Sequence, residues 1–198
     1  MSEAIYNAAM NAFNIESESL IATMNAIDKD EFMKAVEVLS TAERIGTSGC
    51  GHSGIACQHL AHLMCCIERP ARFISPAEAV HGALGFIQKG DVIVLASRGG
   101  KTDELLPIAD ICRGKGATVI GITENMQSPL AEKSDIVIAM KVTRECDKYN
   151  CQGTTSFTVL GAIFDALQTA VLERTGFQNE KFAVIHPNGA VGKRLNAK

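Results

Sequence analysis

The sequence predicts an α/β protein: a three-layer, doubly wound parallel sheet of five strands in the order 2-1-3-4-5, preceded by an N-terminal helical arm. Three observations carry this. Segments such as DVIVLAS (91–97) and DIVIAMKV (135–142) are apolar throughout, as strands covered on both faces are. They alternate with helical patterns, which implies crossover connections. Two glycine-rich loops, TSGCGHSG (47–54) and RGGKT (98–102), follow the first and third strands.

Each element has its own local signal. Residues 3–27 place Ile5, Ala9, Phe13 and Ile21 at helical spacing. Asp30 is the expected cap of a second helix with Phe32, Ala35, Val36 and Leu39 on one face. RIGTSG (44–49) reads as the first strand. A helix from Ser53 to Ile67 follows, with Ile55, Leu60, Leu63 and Met64 apolar. ARFIS (71–75) reads as the second strand, and PAEAVHGALGFI (76–87) as a helix opened by proline. DVIVLAS is the third strand and residues 103–113 the next helix. ATVIGIT (117–123) and DIVIAMKV are the last two strands. A long helix from about Ser156 to Arg174 stops at Gly176, a suitable residue just past a helix end.

The 198 residues suit one domain, 1–198, with helices over 1–42 and the α/β core with its C-terminal segment over 43–198. A net charge of −3 points away from a general nucleic-acid or membrane-surface binder. The acidic, helical N-terminus is unlike a secretory signal, and the apolar runs are too short to span a bilayer. The seven cysteines form no CxxC pair and read as small buried hydrophobes of a reducing, cytoplasmic protein.

A doubly wound sheet binds ligands at the carboxyl ends of its strands, where the strand order reverses. In the order 2-1-3-4-5 that point lies between strands one and three, so both glycine loops meet there. Each feeds a helix N-terminus, whose free N–H groups and dipole favour an anion. Ser48, Gly49, Gly51, Ser53, Ser97, Arg98, Gly99, Gly100 and Thr102 are the expected phosphate-binding set, with Lys101 adding charge. The alternative is that the loops are tight turns and helix caps. GCGHSG (49–54) formally fits G-x-G-x-x-G, but an acidic partner about twenty positions on is found only as Glu68 or Glu78, neither at a clear strand end. The ATPase P-loop pattern is absent.

Residues 44–195 resemble the sugar isomerase (SIS) domain, and within it the arabinose-5-phosphate isomerase group. The first loop is similar to S-G-x-G-K-S-G, with His52 in place of lysine. SPAEAVHGALG (75–85) is similar to H-P-A-E-A-x-H-G-D-L-G, with Ser75 and Ala83 replacing histidine and aspartate. SRGGKTDEL (97–105) is similar to S-x-S-G-E-T-x-E-L, with Gly99 for serine and Lys101 for glutamate. VTRECDKYNCQGTTSF (142–157) aligns with a segment containing E-A-C-P and P-T-x-S-T-T and keeps Glu145. FAVIHPNGAVGKRL (182–195) is close to F-x-x-x-H-P-G-G-x-L-G-R-R-L and keeps His186 and Pro187. The last motif is the most specific. Members often carry a C-terminal pair of CBS modules; this chain ends at Lys198, just after KRL, and reads as a lone SIS domain with the flavodoxin-like strand order.

The resemblance implies aldose–ketose isomerisation of a phosphorylated sugar, the family pair being D-arabinose 5-phosphate and D-ribulose 5-phosphate, with no metal or organic cofactor. It implies Glu145 as the base that removes the C2 proton and His186 as the acid–base group moving protons between the two oxygens. The competing reading of Glu145 is a surface or cap glutamate beside Arg144, Asp147 and Lys148. His81 is either a packed helical histidine or a substrate contact. His52 and Lys101 stand where the family places catalytic side chains of other types. His52 offers a group titrating near neutrality, and Lys101 a charge for phosphate or an enediolate. Thr154, Thr155 and Ser156 read first as caps of the long helix, with Thr154 and Thr155 also candidate sugar or phosphate contacts. SIS proteins commonly build the site between subunits, which implies a homodimer or homotetramer.

Two other readings stay open. The changed loop residues also suit a phosphosugar sensor without turnover, while the HPNG ending speaks against a hexulose-phosphate isomerase. His59, His62 and Cys66 share a helix face at i, i+3 and i+7, a spacing that suits zinc; the alternative is ordinary helix packing.

Overall fold

The computed structural model describes residues 2–197; residues 1 and 198 of the expected domain lie outside them. Five strands form one parallel sheet in the order β2-β1-β3-β4-β5, as the sequence predicts. They are β1 (Ile45–Gly49), β2 (Ala71–Phe73), β3 (Val92–Ala96), β4 (Thr118–Thr123) and β5 (Ile136–Ala139). Ile45 pairs with Val92, and Gly49 with Ala96, so the first and third strands end level and deliver both glycine loops to one rim.

Helices cover both faces. α1 (Ser2–Ala26), α2 (Lys29–Thr41), α3 (Gly51–Cys66) and α7 (Thr155–Thr175) are joined by α4 (Pro76–Ala79), α5 (Leu106–Gly114), α6 (Pro129–Lys133), α8 (Asn179–Ile185) and α9 (Gly189–Asn196). Alternate residues of β3 divide the core. Val92 and Val94 pack with Leu39, Leu60, Met64 and Phe164 on one side. Ile93 and Leu95 pack with Ile74, Ile108, Cys112 and Leu130 on the other. α7 is long and apolar enough by composition to cross a membrane. Here its Val159, Leu160, Ile163, Phe164, Leu167 and Val171 are buried in the protein core.

Several local expectations are corrected. The second helix is capped by Asp28, whose Oδ1 accepts from Asp30 N–H at 2.9 Å and Glu31 N–H at 3.0 Å; Asp30 is already helical. On α1 the expected apolar face points outward, with Ile5 and Phe13 each 65% exposed. The face that docks is Ile15, Ser19 and Thr23. The physical reason lies beyond β5, where the segment 141–143 has no neighbouring strand. Thr23 Oγ1 donates to Lys141 C=O at 2.8 Å and accepts from Lys141 N–H at 2.9 Å. Ser19 Oγ accepts from Thr143 N–H at 3.1 Å. Hydroxyls thus do at this edge what a sixth strand would otherwise do.

Residues 76–87 do not form one helix. α4 ends at Ala79, Gly82 turns the chain at φ 109°, and a 3₁₀ turn spans Ala83–Phe86. His81 lies exposed in the turn between them, not in a helix. The helix expected at 103–113 starts at Leu106, because residues 102–105 close a turn through Leu105 N–H to Thr102 C=O at 3.0 Å. α3 starts two residues earlier than expected, and Ile55 faces outward. Short helices α6, α8 and α9 have too few residues to give a clear periodic signal.

The close seating of α3 on β1 rests on Gly54. A side chain there would place its Cβ 2.6 Å from the Gly49 carbonyl oxygen. Gly54→Ala is expected to destabilise the protein by about 1–3 kcal/mol through overpacking against backbone; urea unfolding checks this, and a wild-type midpoint would refute it.

Candidate functional site

The carboxyl rim of the sheet gathers most of the expected residues, but not in the expected roles. The first loop turns at Gly51, φ 56°, and passes into α3. Ser48 is fully buried and its hydroxyl donates to Ile74 C=O at 2.7 Å, so it fixes the β1–β2 edge instead of facing a ligand. Gly49 serves the same close packing as Gly54. The half-buried Ser53 and the first-turn backbone of α3 are the parts of this loop that remain at the surface. A cleft of about 370 Å³ opens beside them, lined by Gly49, Cys50, Gly51, Phe73, Ser75 and Glu104 among others.

The second loop is internally braced. Ser97 Oγ lies 2.8 Å from Thr102 Oγ1 and accepts from Gly100 N–H at 3.1 Å. Gly100 has φ 65°, and a Cβ there would collide with Ser128, so only glycine fits. Gly99 and Lys101 form the exposed tip. The braced loop therefore presents main-chain N–H groups and one lysine, which is the composition of an anion site.

Arg98 is the principal correction. The sequence reading makes it a phosphate contact; in the structure all three of its guanidinium nitrogens are engaged by protein. Nε donates to Glu124 Oε2 at 2.9 Å, Nη1 to Glu145 Oε1 at 2.8 Å, and Nη2 to Val142 C=O at 3.3 Å. Glu124 gives no signal in the sequence, since a lone glutamate after a strand is ordinary.

Glu145 is buried, with 4% of its side chain exposed. Its Oε2 accepts from Ser156 N–H at 3.1 Å and Thr154 Oγ1–H at 3.3 Å. The expected caps of the long helix are thereby corrected. Thr154 makes no side-chain capping bond. The carboxylate of Glu145, reaching in from the preceding loop, satisfies a first-turn N–H and sits in the favourable end of the helix dipole. Thr155 is buried, its hydroxyl 3.2 Å from Cys146 Sγ.

The loop between them has its own scaffold. Asp147 accepts from the N–H groups of Tyr149 at 2.8 Å, Cys151 at 3.0 Å and Gln152 at 2.8 Å. These bonds, led by that from Gln152, hold its carboxyl below the usual range. Asn150, at φ 57°, accepts from Glu145 N–H at 2.7 Å. The charged residues that suggest a solvated surface segment instead position the glutamate.

His52 joins this group from the first loop. Its ring packs on Gly153, where a Cβ would lie 2.8 Å from Nδ1, and meets the edge of Phe157 with centroids 6.5 Å apart. His186 does not join it. It ends α8 at the far end of α3, 5.0 Å from the Phe182 ring and beside a hollow lined by His62, Cys65 and Cys66. Those α3 residues are about 15–20 Å along the helix from its first turn. His81 makes no hydrogen bond to the other candidates among the described residues.

The zinc alternative fails on geometry. Among the described residues no three His, Cys, Asp or Glu side chains group to hold a metal. His59 Nε2 faces Asp165 Oδ1 at 3.4 Å on α7, away from the hollow that His62 and Cys66 line. The seven cysteines are free and divide by burial. Cys65 and Cys151 are exposed, against expectation, whereas Cys57 and Cys112 are buried. Burial pushes the Cys57 thiol up to about 12 and that of Cys112 up to about 11.

A parallel 2-1-3-4-5 sheet with two glycine loops at one rim is a doubly wound α/β domain whose rim suits an anion. The SIS domain family model matches residues 38–170, and the chain belongs to that family. It is 35% identical over 193 residues to arabinose 5-phosphate isomerase KdsD of Pseudomonas aeruginosa, covering 97% of this chain and 59% of that protein. It is 33% identical to arabinose 5-phosphate isomerase KpsF of Escherichia coli, covering 91% of this chain and 55% of that one. The chain thus spans less than two thirds of the length of these curated relatives. Among solved structures, a candidate sugar-phosphate isomerase from Listeria monocytogenes superposes with a TM-score of 0.91 at 36% identity, covering 95% of this chain and 99% of the other. A protein of Escherichia coli CFT073, solved in complex with arabinose 5-phosphate, superposes at 0.88 with 27% identity, covering 94% and 100%.

Two expectations follow from this geometry. At pH 8, Cys57 and Cys112 are expected to resist iodoacetamide until the protein is unfolded, because the thiolate is the reactive form; peptide mass spectrometry reads this, and native labelling as fast as at Cys151 contradicts it. Asp147→Ala is expected to speed amide exchange at Tyr149, Cys151 and Gln152 specifically; unchanged protection there would show that the carboxylate does not hold the loop.

Proposed function

We propose that this chain is an aldose–ketose isomerase of phosphorylated sugars, acting on D-arabinose 5-phosphate and D-ribulose 5-phosphate or a related phosphosugar. The observation that carries it is the buried, oriented carboxylate of Glu145 tied to Arg98 of the braced second glycine loop, in a chain similar over nearly its whole length to arabinose 5-phosphate isomerases. In this reading the phosphate is anchored by the N–H groups and hydroxyls of the two loops, at Gly51, Ser53, Gly99 and Thr102, with Lys101 supplying charge, while the Gly100 N–H is spent on Ser97. That anchoring fixes C1 and C2 relative to the base. Glu145 takes the C2 proton while O1 gains one, giving an enediol. O2 then loses its proton and C1 receives one, so the sugar leaves with its carbonyl moved and nothing consumed. Thr154 holds Glu145 and borders the sugar.

His186 is the group that moves protons between O1 and O2. Its distance from Glu145 along α3 supports a site completed by a second copy, and hence a homodimer or homotetramer; His81 is a candidate for the same shared edge. The domain is taken as a single SIS unit over 1–198, and the free cysteines suit a cytoplasmic setting. Two observations favour the other reading, a phosphosugar sensor without turnover: Glu145 is tied to Arg98, and the loop residues His52 and Lys101 depart from the family pattern.

Proton exchange at C2 decides between them. Incubated in D2O with aldose and ketose phosphates and followed by NMR, the wild type is expected to wash deuterium into C2 and interconvert the pair. Glu145→Gln is expected to slow exchange by about 10²–10⁴-fold. Calorimetric binding without any exchange would replace the isomerase with the sensor.

A further inference from the structure

The guanidinium of Arg98 is fixed in place before any ligand arrives. Its backbone carbonyl accepts from Glu124 N–H at 2.9 Å and Thr123 Oγ1–H at 3.0 Å. Its side chain spans from Glu124, just past β4, to Glu145, past β5. Glu124 is itself held, its Oε1 accepting from Val142 N–H at 3.1 Å, while Val142 C=O accepts from Arg98. The set closes on itself and joins the carboxyl ends of β3, β4 and β5.

We infer that Arg98 is a positioning residue for the Glu145 carboxylate, and that Glu124 positions Arg98 in turn; this rests on the reading of Glu145 as the base. Two features separate this from simple structural bracing. First, two carboxylates share one guanidinium, leaving a net negative charge beside loops built to receive an anion. Of the two carboxylates only Glu145 is buried, with 4% of its side chain exposed against 28% for Glu124, so the guanidinium compensates the buried charge of Glu145 and uses the solvent-side Glu124 as its anchor. Second, the oxygens of Glu145 are held from different sides. Oε1 meets Arg98 alone, and Oε2 meets Ser156 N–H and Thr154. Three donors from two segments, the loop after β3 and the start of α7, fix the plane of the carboxylate, as orienting a base toward one carbon requires. The planar fork of arginine can hold Glu124, Glu145 and Val142 together; a lysine ammonium keeps the charge without that geometry.

The test compares Arg98→Gln, Arg98→Lys and Glu124→Gln with the wild type and Glu145→Gln, measuring kcat and KM for C2 exchange and conversion on arabinose 5-phosphate. Misplacing the base predicts a fall in kcat of about 10–100-fold for Arg98→Gln, with KM within about threefold. Arg98→Lys is expected to recover part of that loss, and Glu124→Gln to lose less than Arg98→Gln. A rise in KM at unchanged kcat would make Arg98 a phosphate ligand and overturn the inference; unchanged kcat and KM would overturn it as well. If Arg98→Gln does not fold, Glu124→Gln decides, since it frees Nε and leaves the Arg98–Glu145 pair. Full activity in Glu145→Gln, or none in the wild type, would sink the parent reading instead.

Discussion

The interaction on which the candidate site depends is the ion pair between Arg98 and the buried carboxylate of Glu145. A carboxylate this far from water is tolerated only when its charge and lone pairs are met. Arg98 meets the charge, and the first turn of α7 meets the rest. Because Arg98 follows β3, Glu124 follows β4 and Glu145 follows β5, one guanidinium sets the relative position of three strand ends. The compensation of the buried charge and the junction of the three strand ends therefore rest on the same contacts.

The same dependence on borrowed partners appears at the sheet's edge. The segment after β5 has no neighbouring strand, so its polar backbone must find partners elsewhere. α1 supplies them through Ser19 and Thr23, two hydroxyls one turn apart on its buried face. One turn earlier, Glu16 Oε1 accepts from Thr158 Oγ1–H at 3.0 Å on α7. The N-terminal helix thus clamps the segment that leads into Glu145 and the helix that Glu145 caps. Ile5, Tyr6 and Phe13, in its N-terminal half, stay exposed.

This explains what can be read in the sequence and what cannot. The all-apolar strands and the two glycine loops report burial and backbone geometry, which are local, so the sheet order and the rim are legible. Glu145 and His52 are legible as candidates because their neighbours keep a motif. The docking face of α1 is not, because hydrophobicity marks a face that wants cover, while the face actually covered is chosen by backbone groups 118 to 124 residues away. Arg98 misleads for the same reason. In a glycine loop an arginine looks free to meet an anion. Glu124 and Glu145, which engage it, lie 26 and 47 residues further on, and nothing in the spacing announces them.

The distribution of charge then follows from one commitment. With Arg98 engaged by Glu145 and Glu124, the exposed cation on the second loop is Lys101 at its tip, followed by the exposed carboxylates of Asp103 and Glu104. On the first loop the corresponding cation is absent, and His52 packs instead against Gly153 and Phe157, beside the cap of α7. A positive charge at the tip of the second loop and an imidazole packed beside the loop that carries Glu145 differ from a cation on the first loop. The exposed ammonium and the packed imidazole are thereby placed after different strands, the first following β3 and the second following β1.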